Sequence, residues 1–229
     1  MKDLIREGRK LQETFKTNVV NEDSFFKFWK KGKKGSFPKT KEEVDGILNS
    51  FGIKIYKINA DLTVDVRGDV DISNQRSIFY ENLTRIPVQF GKVSGHFLCY
   101  GNDLKSLEGA PKKVGGDFYC HTNNLISLEG GPETVNGKFH CANNNLKSLK
   151  GAPKTVVFDF DCSHNYLIDL DGAPEIVRGN FDCSNNNLKS LRDAPKQVDG
   201  VFKCYNNPLP DSEKEWAKKN IKAKNFKFK

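Results

Sequence analysis

The sequence lacks the long apolar segments that would place it in a membrane. No stretch approaches the roughly 20 apolar residues of a membrane-spanning helix, although 37% of the 229 residues are hydrophobic. Charged residues such as Lys2, Asp3, Arg6 and Glu7 interrupt the first twenty positions, so no secretory signal is expected there. We therefore expect an intracellular protein.

The sequence also lacks the common catalytic motifs. It contains no glycine-rich phosphate loop, no zinc-finger spacing and no evident Ser/His/Asp arrangement. We therefore expect a non-enzymatic protein that needs no cofactor.

Charge is unevenly distributed along the chain. The net charge is +8, with 37 Lys and Arg against 29 Asp and Glu. Residues 1–60 carry a net charge of +6, residues 61–210 of −2 and residues 211–229 of +4. An excess of basic residues usually indicates an anionic partner, but here only the two ends of the chain carry an excess of positive charge.

The most informative feature is a repeat of 21 residues. All six cysteines follow this period, and Phe, Asn, Leu, Pro and Val recur with them; the cysteines are Cys99, Cys120, Cys141, Cys162, Cys183 and Cys204. A fixed period in this range predicts a solenoid, in which stacked coils bury a core that one coil could not bury alone.

The repeat unit reads G-x-F-x-C-x-x-N-x-L-x-x-L-x-G-A-P-x-x-V-x. Phe and Cys alternate as in a short strand with one buried face. We expect buried, reduced and unreactive thiols rather than a disulfide framework or a metal site. The Asn after each Cys is expected to tolerate an unusual turn and to bond main-chain groups of neighbouring coils.

The unit resembles the leucine-rich repeat, with Phe and Cys at usual Leu positions. The segment Leu104–Pro111, L-K-S-L-E-G-A-P, is similar to repeats in proteins of large tailed bacteriophages and some bacteria. The resemblance implies an α/β leucine-rich-repeat solenoid with a short-stranded parallel sheet on its concave face. It also implies a bacteriophage protein that works in the host cytoplasm or belongs to the virion.

We divide the chain into three regions. Residues 1–60 are a basic helical region with a capping hairpin, residues 61–210 are about seven coils with a degenerate first coil, and residues 211–229 are a capping helix with a basic tail. Thr40 is expected to start one helix and Asp211 to start the other, which would run to about Ala223. These helices would cap the solenoid.

The positions that the repeat leaves variable are the candidate binding residues. If Phe and Cys point inward, their neighbours form one exposed surface, which carries tyrosines and an aspartate patch suited to a protein partner. The expected contacts are Tyr100, Asp117, Tyr119, His121, Lys138, His140, Asp159, Asp161, His164, Asp182, Lys203 and Tyr205. The alternative is an exposed sheet face that is polar only because it meets water.

Two other functions stay open at this point. His121, His140, Asp161 and His164 have the residue types of a metal site, although imidazole–carboxylate pairing explains the grouping more simply. Aromatic residues and lysines also alternate near the amino terminus, where stacking and phosphate contacts to single-stranded nucleic acid are an alternative to packing on the cap. The residues for that contact are Lys27, Trp29, Lys30, Lys31, Lys33 and Lys34.

Overall fold

The computed structural model describes residues 36–74 and 82–229. These residues form a parallel β-solenoid of roughly six turns, which confirms the solenoid predicted from the 21-residue period. Each coil of the repeat contributes two very short strands instead of one.

The described residues contain two helices and fifteen strands. The helices are α1 (Lys41–Ser50) and α2 (Asp211–Asn220). The strands are β1 (Tyr56–Ile58), β2 (Val64–Val66), β3 (Val70–Asp71), β4 (Phe90–Val93), β5 (Phe97–Leu98), β6 (Lys113–Val114), β7 (Phe118–Tyr119), β8 (Thr134–Val135), β9 (Phe139–His140), β10 (Thr155–Val156), β11 (Phe160–Asp161), β12 (Ile176–Val177), β13 (Phe181–Asp182), β14 (Gln197–Lys203) and β15 (Lys222–Lys227).

The strands form two parallel ladders along the solenoid. The valine ladder contains β2, β4, β6, β8, β10, β12 and the start of β14, whereas the phenylalanine ladder contains β3, β5, β7, β9, β11, β13 and the end of β14. Equivalent residues pair in register, as Val114 does with Val135 and Phe118 with Phe139. The phenylalanine ladder was predicted from the F-x-C alternation, but the valine ladder was not.

Phenylalanine rings form a continuous column through the core. From Phe97 to Phe202 the rings of successive coils lie 5.2–5.6 Å apart and nearly parallel. The cysteines and the two leucines of each complete coil are also fully or almost fully buried. This confirms the predicted inward direction of Phe, Cys and Leu.

A buried asparagine in each coil ties it to its neighbours. The side-chain nitrogen of Asn144 donates to the carbonyl oxygens of Cys120 and Cys141, both at 3.1 Å, and its Oδ1 accepts from the backbone nitrogen of Leu125 at 3.0 Å. The same pattern recurs from Asn102 to Asn207. The predicted bonding of main-chain groups is thus confirmed.

The unusual turn lies one residue earlier than we predicted. The left-handed residue of each coil precedes the buried asparagine, so the expectation that the asparagine itself takes this conformation was wrong. This column has φ between 53° and 66° and consists of Gly101, Thr122, Asn143, His164, Asn185 and Asn206. The reason is that the buried asparagine must point its side-chain amide into the core. The chain therefore changes direction at the preceding residue.

At the amino-terminal side of the described coils, α1 contributes Val44, Ile47 and Leu48 to the buried core and a hairpin follows, but the predicted helical cap is not supported. The Thr40 hydroxyl accepts from the Glu43 backbone nitrogen at the start of α1, as the capping motif predicts. Strands β1 and β2 pair antiparallel, which confirms the predicted hairpin. Val70 pairs with Phe97 and so takes the place of a phenylalanine, as expected for a degenerate first coil.

The carboxyl-terminal end differs from the expected helical cap. Helix α2 ends at Asn220 rather than near Ala223, and β15 then pairs in parallel with β14. Phe226 lies 5.7 Å from Phe202 and so extends the aromatic column. The strand forms because the edge of the last coil exposes backbone N–H and C=O groups. A helix could not pair with them, since its own backbone groups are already bonded within the helix.

The α/β character implied by the resemblance is not supported. Both described helices lie outside the coils, and the coils from Val93 to Lys203 contain only strands and turns. No described helix has the length and hydrophobicity to span a membrane. The first part of the predicted basic helical region and the basic aromatic segment with Lys27 and Trp29 lie outside the described residues.

Candidate functional site

The predicted binding residues lie along the outer side of the phenylalanine ladder. Between each Phe and Cys, in-register pairing brings Tyr119 beside His140, His140 beside Asp161, and Asp161 beside Asp182, and Lys203 follows. These side chains are half-buried, whereas the alternating Phe and Cys are buried. The register alone therefore brings residues 21 positions apart into contact.

Four rings form a compact cluster on this surface, which we call the imidazole cluster: Tyr100, Tyr119, His121 and His140. The His121 ring stacks on Tyr100 with centroids 4.6 Å apart, and it lies 4.4 Å from the ring of His140. Tyr119 meets His140 edge-to-face at 5.7 Å. The cluster offers a partly exposed aromatic area held in place by the sheet beneath it.

Packing keeps one imidazole of the cluster neutral. Burial, together with the neighbouring His140, lowers the pKa of His121 from 6.5 to about 4, against an opposing effect of Asp161. The Nδ1 atom of His121 also lies 3.0 Å from the Thr122 hydroxyl. At neutral pH His121 is therefore an uncharged aromatic surface.

His140 and Asp161 form a pair at the edge of the cluster. Nε2 of His140 lies 3.2 Å from Oδ2 of Asp161, while Oδ1 of Asp161 accepts from the backbone nitrogen and hydroxyl of Ser163 at 2.9 and 2.7 Å. Burial opposes the ionisation of Asp161, but the bonds from His140 and Ser163 outweigh it and lower the pKa of this carboxyl. Asp161 is thus an anchored carboxylate.

Each aspartate of the predicted patch lies close to a basic or imidazole side chain. Besides the Asp161 pair, Asp159 lies 3.3 Å from the Lys138 ammonium and Asp182 lies 3.2 Å from that of Lys203. The register places a lysine or a histidine one repeat away beside each of these carboxylates. The charge available to attract a basic partner is correspondingly reduced.

Two predicted contact residues have a structural task. Oδ1 of Asp117 accepts from the backbone nitrogen of Lys138 at 2.7 Å, and Oδ1 of Asp159 accepts from that of Asn180 at 2.8 Å. Oδ1 of Asn180 likewise accepts from the backbone nitrogen of Val201 at 2.9 Å. The side chain before Phe thereby satisfies a donor at the bend between the two ladders. Asp or Asn recurring at this position was the signal that sequence reasoning overlooked.

The remaining predicted contacts lie away from the cluster. Nε2 of His164 lies 3.2 Å from the side-chain nitrogen of Asn185, in the turn after the strand. Tyr205 belongs to the last coil and is half-buried. His164 thus lies in a turn, whereas His140 and Asp161 lie in β9 and β11.

The described residues contain no group of three or more His, Cys, Asp and Glu side chains arranged to hold a metal ion. The six thiols are free and buried, and burial raises the pKa of every one, to about 12 for Cys204. Thiols with such pKa values are poor nucleophiles.

Sequence reasoning missed three exposed apolar residues in the turns. Ile126, Tyr166 and Ile168 are 64%, 55% and 55% exposed. Ile126 and Ile168 occupy a position where other coils have Lys105, Lys147 and Lys189. This departure from the repeat was visible in the sequence, but the fold was needed to show that it faces water.

The chain matches no family model and no curated protein in comparisons with known proteins.

Proposed function

We propose that this protein is a non-enzymatic interaction module that binds another protein through the outer face of its phenylalanine ladder. The observation that carries the proposal is the imidazole cluster. Tyrosine and neutral imidazole rings supply a large amphipathic contact area at a small entropic cost. The sheet beneath the cluster is rigid, so little ordering is required on binding.

The pairing of the aspartates favours a partner with mixed polarity over a strongly basic one. Asp159, Asp161 and Asp182 each have a close cationic or imidazole partner. Such pairs at the rim of an interface contribute to orientation more than to affinity. Binding energy should therefore come mainly from Tyr100, Tyr119 and the imidazoles between them.

We also propose, from the resemblance of the repeat alone, that the partner is a bacterial host protein or another phage protein. A protein of this kind would inhibit a host factor in the cytoplasm of an infected bacterium. A virion component is the alternative. Mass spectrometry of purified particles separates the two, because an inhibitor is absent from particles and a component is present in fixed copy number. Nucleic-acid binding through Lys27–Lys34 stays a prediction on residues outside those described.

The test compares two double variants. A partner is first captured from infected cells with the full chain and purified, and its affinity for each variant is then measured by calorimetry. Tyr100→Ala/Tyr119→Ala should weaken binding about 30-fold or more, since a binding hot spot contributes about 2 kcal/mol or more. Tyr166→Ala/Ile168→Ala removes comparable exposed area from the turns and should change affinity less than about threefold. Equal losses in both variants, or none in the first, would refute the proposed surface.

A further inference from the structure

A second surface lies on the outer side of the valine ladder, away from the imidazole cluster. A shallow groove of about 720 Å³ crosses the outer face of β1, β2, β4, β6 and β8. Strands in a sheet are about 4.8 Å apart, so the groove extends about 19 Å along the solenoid. It is open to an extended chain.

Four cations line this groove: Lys57, Arg67, Lys92 and Lys113. All four are exposed, and none forms an ion pair with another described residue. Lys92 and Lys113 are directly paired in register, which places two like charges side by side. Like charges at directly opposed positions destabilise a sheet, so a purely structural role would not favour this arrangement.

The four cations of the groove are grouped on the first strands of the ladder. Beyond Lys113 the equivalent outward positions are Thr134, Thr155, Ile176 and Gln197, all of them uncharged, and Lys222 of β15 follows at the far end. The coils from 61 to 210 are slightly acidic as a whole. The groove is therefore a local concentration of positive charge and not a consequence of a basic solenoid.

The other polar side chains of the groove can both donate and accept hydrogen bonds. Ser94, Thr134 and Asn136 add hydroxyl and amide groups to its wall. Asp65 is the one acidic residue of the lining, and its Oδ1 already accepts from the backbone nitrogen of Lys92 at 2.8 Å. A sugar–phosphate backbone presents acceptors and negative charge but no N–H groups, and it is usually bound by these side-chain types. The four cations without an ion pair to a described residue are what favours an anionic backbone over a neutral peptide in this groove.

The geometry points to a binding site for the phosphodiester backbone of single-stranded nucleic acid in this groove. The phosphates lie against Lys57, Arg67, Lys92 and Lys113, and Ile55, which is 63% exposed, offers an apolar contact for a base at one end. Binding here is independent of the proposed protein interaction, because the two surfaces lie on different ladders. Contacts are to the backbone, so the site does not select a sequence.

The test is fluorescence anisotropy of a labelled 12-nucleotide oligothymidylate with the full chain. The variant Lys92→Gln/Lys113→Gln should raise Kd at least about tenfold at low salt. It should also reduce the slope of log K against log salt by about 1.4, at about 0.7 for each lost phosphate contact. The matched control is Lys147→Gln/Lys189→Gln, which removes the same charge from exposed turn positions and should leave Kd and slope nearly unchanged. Circular dichroism confirms that each variant is folded.

Three results would overturn the assignment. Unchanged binding by Lys92→Gln/Lys113→Gln would place any nucleic-acid contact elsewhere, for example on Lys27–Lys34. An equal loss in the control would show that only net charge matters. Competition by a 12-residue oligoglutamate as effective as that by unlabelled oligothymidylate would identify an acidic protein segment as the occupant instead.

Discussion

The side-chain nitrogen of Asn144 donates to the carbonyl oxygen of Cys120, 24 residues earlier in the chain, at 3.1 Å. The bond joins consecutive coils at the point where the phenylalanine ladder ends. Its equivalents recur along the solenoid. Adjacent coils are therefore connected by buried hydrogen bonds as well as by the stacked rings.

Replacing Asn144 by Ala should destabilise the protein by about 1–3 kcal/mol, because several main-chain groups would lose their buried partner. Urea unfolding at pH 7 measures this loss. Asn145→Ala is the control, since the Asn145 side chain makes no hydrogen bond within the described residues, and it should change stability by less than about 0.5 kcal/mol. Equal effects would show that the amide of Asn144 is not what connects the coils.

Replacing Thr122 by Asn should stabilise the protein by about 1 kcal/mol. Thr122 is a β-branched residue at φ 55°, a conformation that Asn adopts at a smaller steric cost. The reverse change, Asn143→Thr, should destabilise by a similar amount at the same position of the next coil. Thermal unfolding of both variants is the measurement, and shifts of the same sign would contradict the account.

Stability should fall as pH falls from 6.5 to 4 because of His121. Its pKa is lowered from 6.5 to about 4, so within this window the unfolded chain binds a proton that the folded protein does not. Well above pH 6.5 the imidazole of His121 is neutral in both the folded and the unfolded chain, so its titration no longer lowers the free energy of unfolding. Urea unfolding at pH 7, 5.5 and 4.5 measures the trend.

The control for this pH dependence is His121→Phe, which keeps a ring beside Tyr100 but cannot titrate. The variant retains the other groups facing the cluster, namely His140, Asp161 and Tyr119, so their contributions cancel in the comparison. It should lose stability less steeply between pH 6.5 and 4 than the wild type. Identical slopes would mean that His121 is not responsible.

Glu213 should be essential to the carboxyl-terminal end of the solenoid. Its carboxylate accepts from the backbone nitrogen of Leu191 at 2.8 Å and from Nε of Arg192 at 3.0 Å, which connects α2 to the last coil. Glu213→Ala should cost about 2 kcal/mol or more, since hydrogen bonds to charged groups are strong. The exposed Glu215, paired with Lys218, provides the control, and Glu215→Ala should cost less than about 1 kcal/mol. Urea unfolding of the two variants measures the loss in the free energy of unfolding for each.

The six thiols should be inert in the folded protein. Burial raises their pKa values, and the thiolate is the reactive form. Ellman's reagent should therefore modify none of them at pH 8 in buffer and all six in 6 M guanidinium chloride. Rapid modification of Cys120 or Cys141 without denaturant would contradict their place in the core.

The sequence by itself determined the solenoid and its core, because the 21-residue period makes the Phe, Cys, Asn and Leu of every coil equivalent. Tertiary structure decided how the variable residues act. The 21-residue spacing already indicated the pairing of His140 with Asp161, whereas the ion pair of Lys138 with Asp159 became evident only in the stacked coils. The same stacking created the valine ladder, placed the strained turn at Thr122 rather than at Asn123, and converted the expected end of α2 into β15. Each of these depends on which backbone and charged groups meet between coils, and a period within the chain does not specify those contacts.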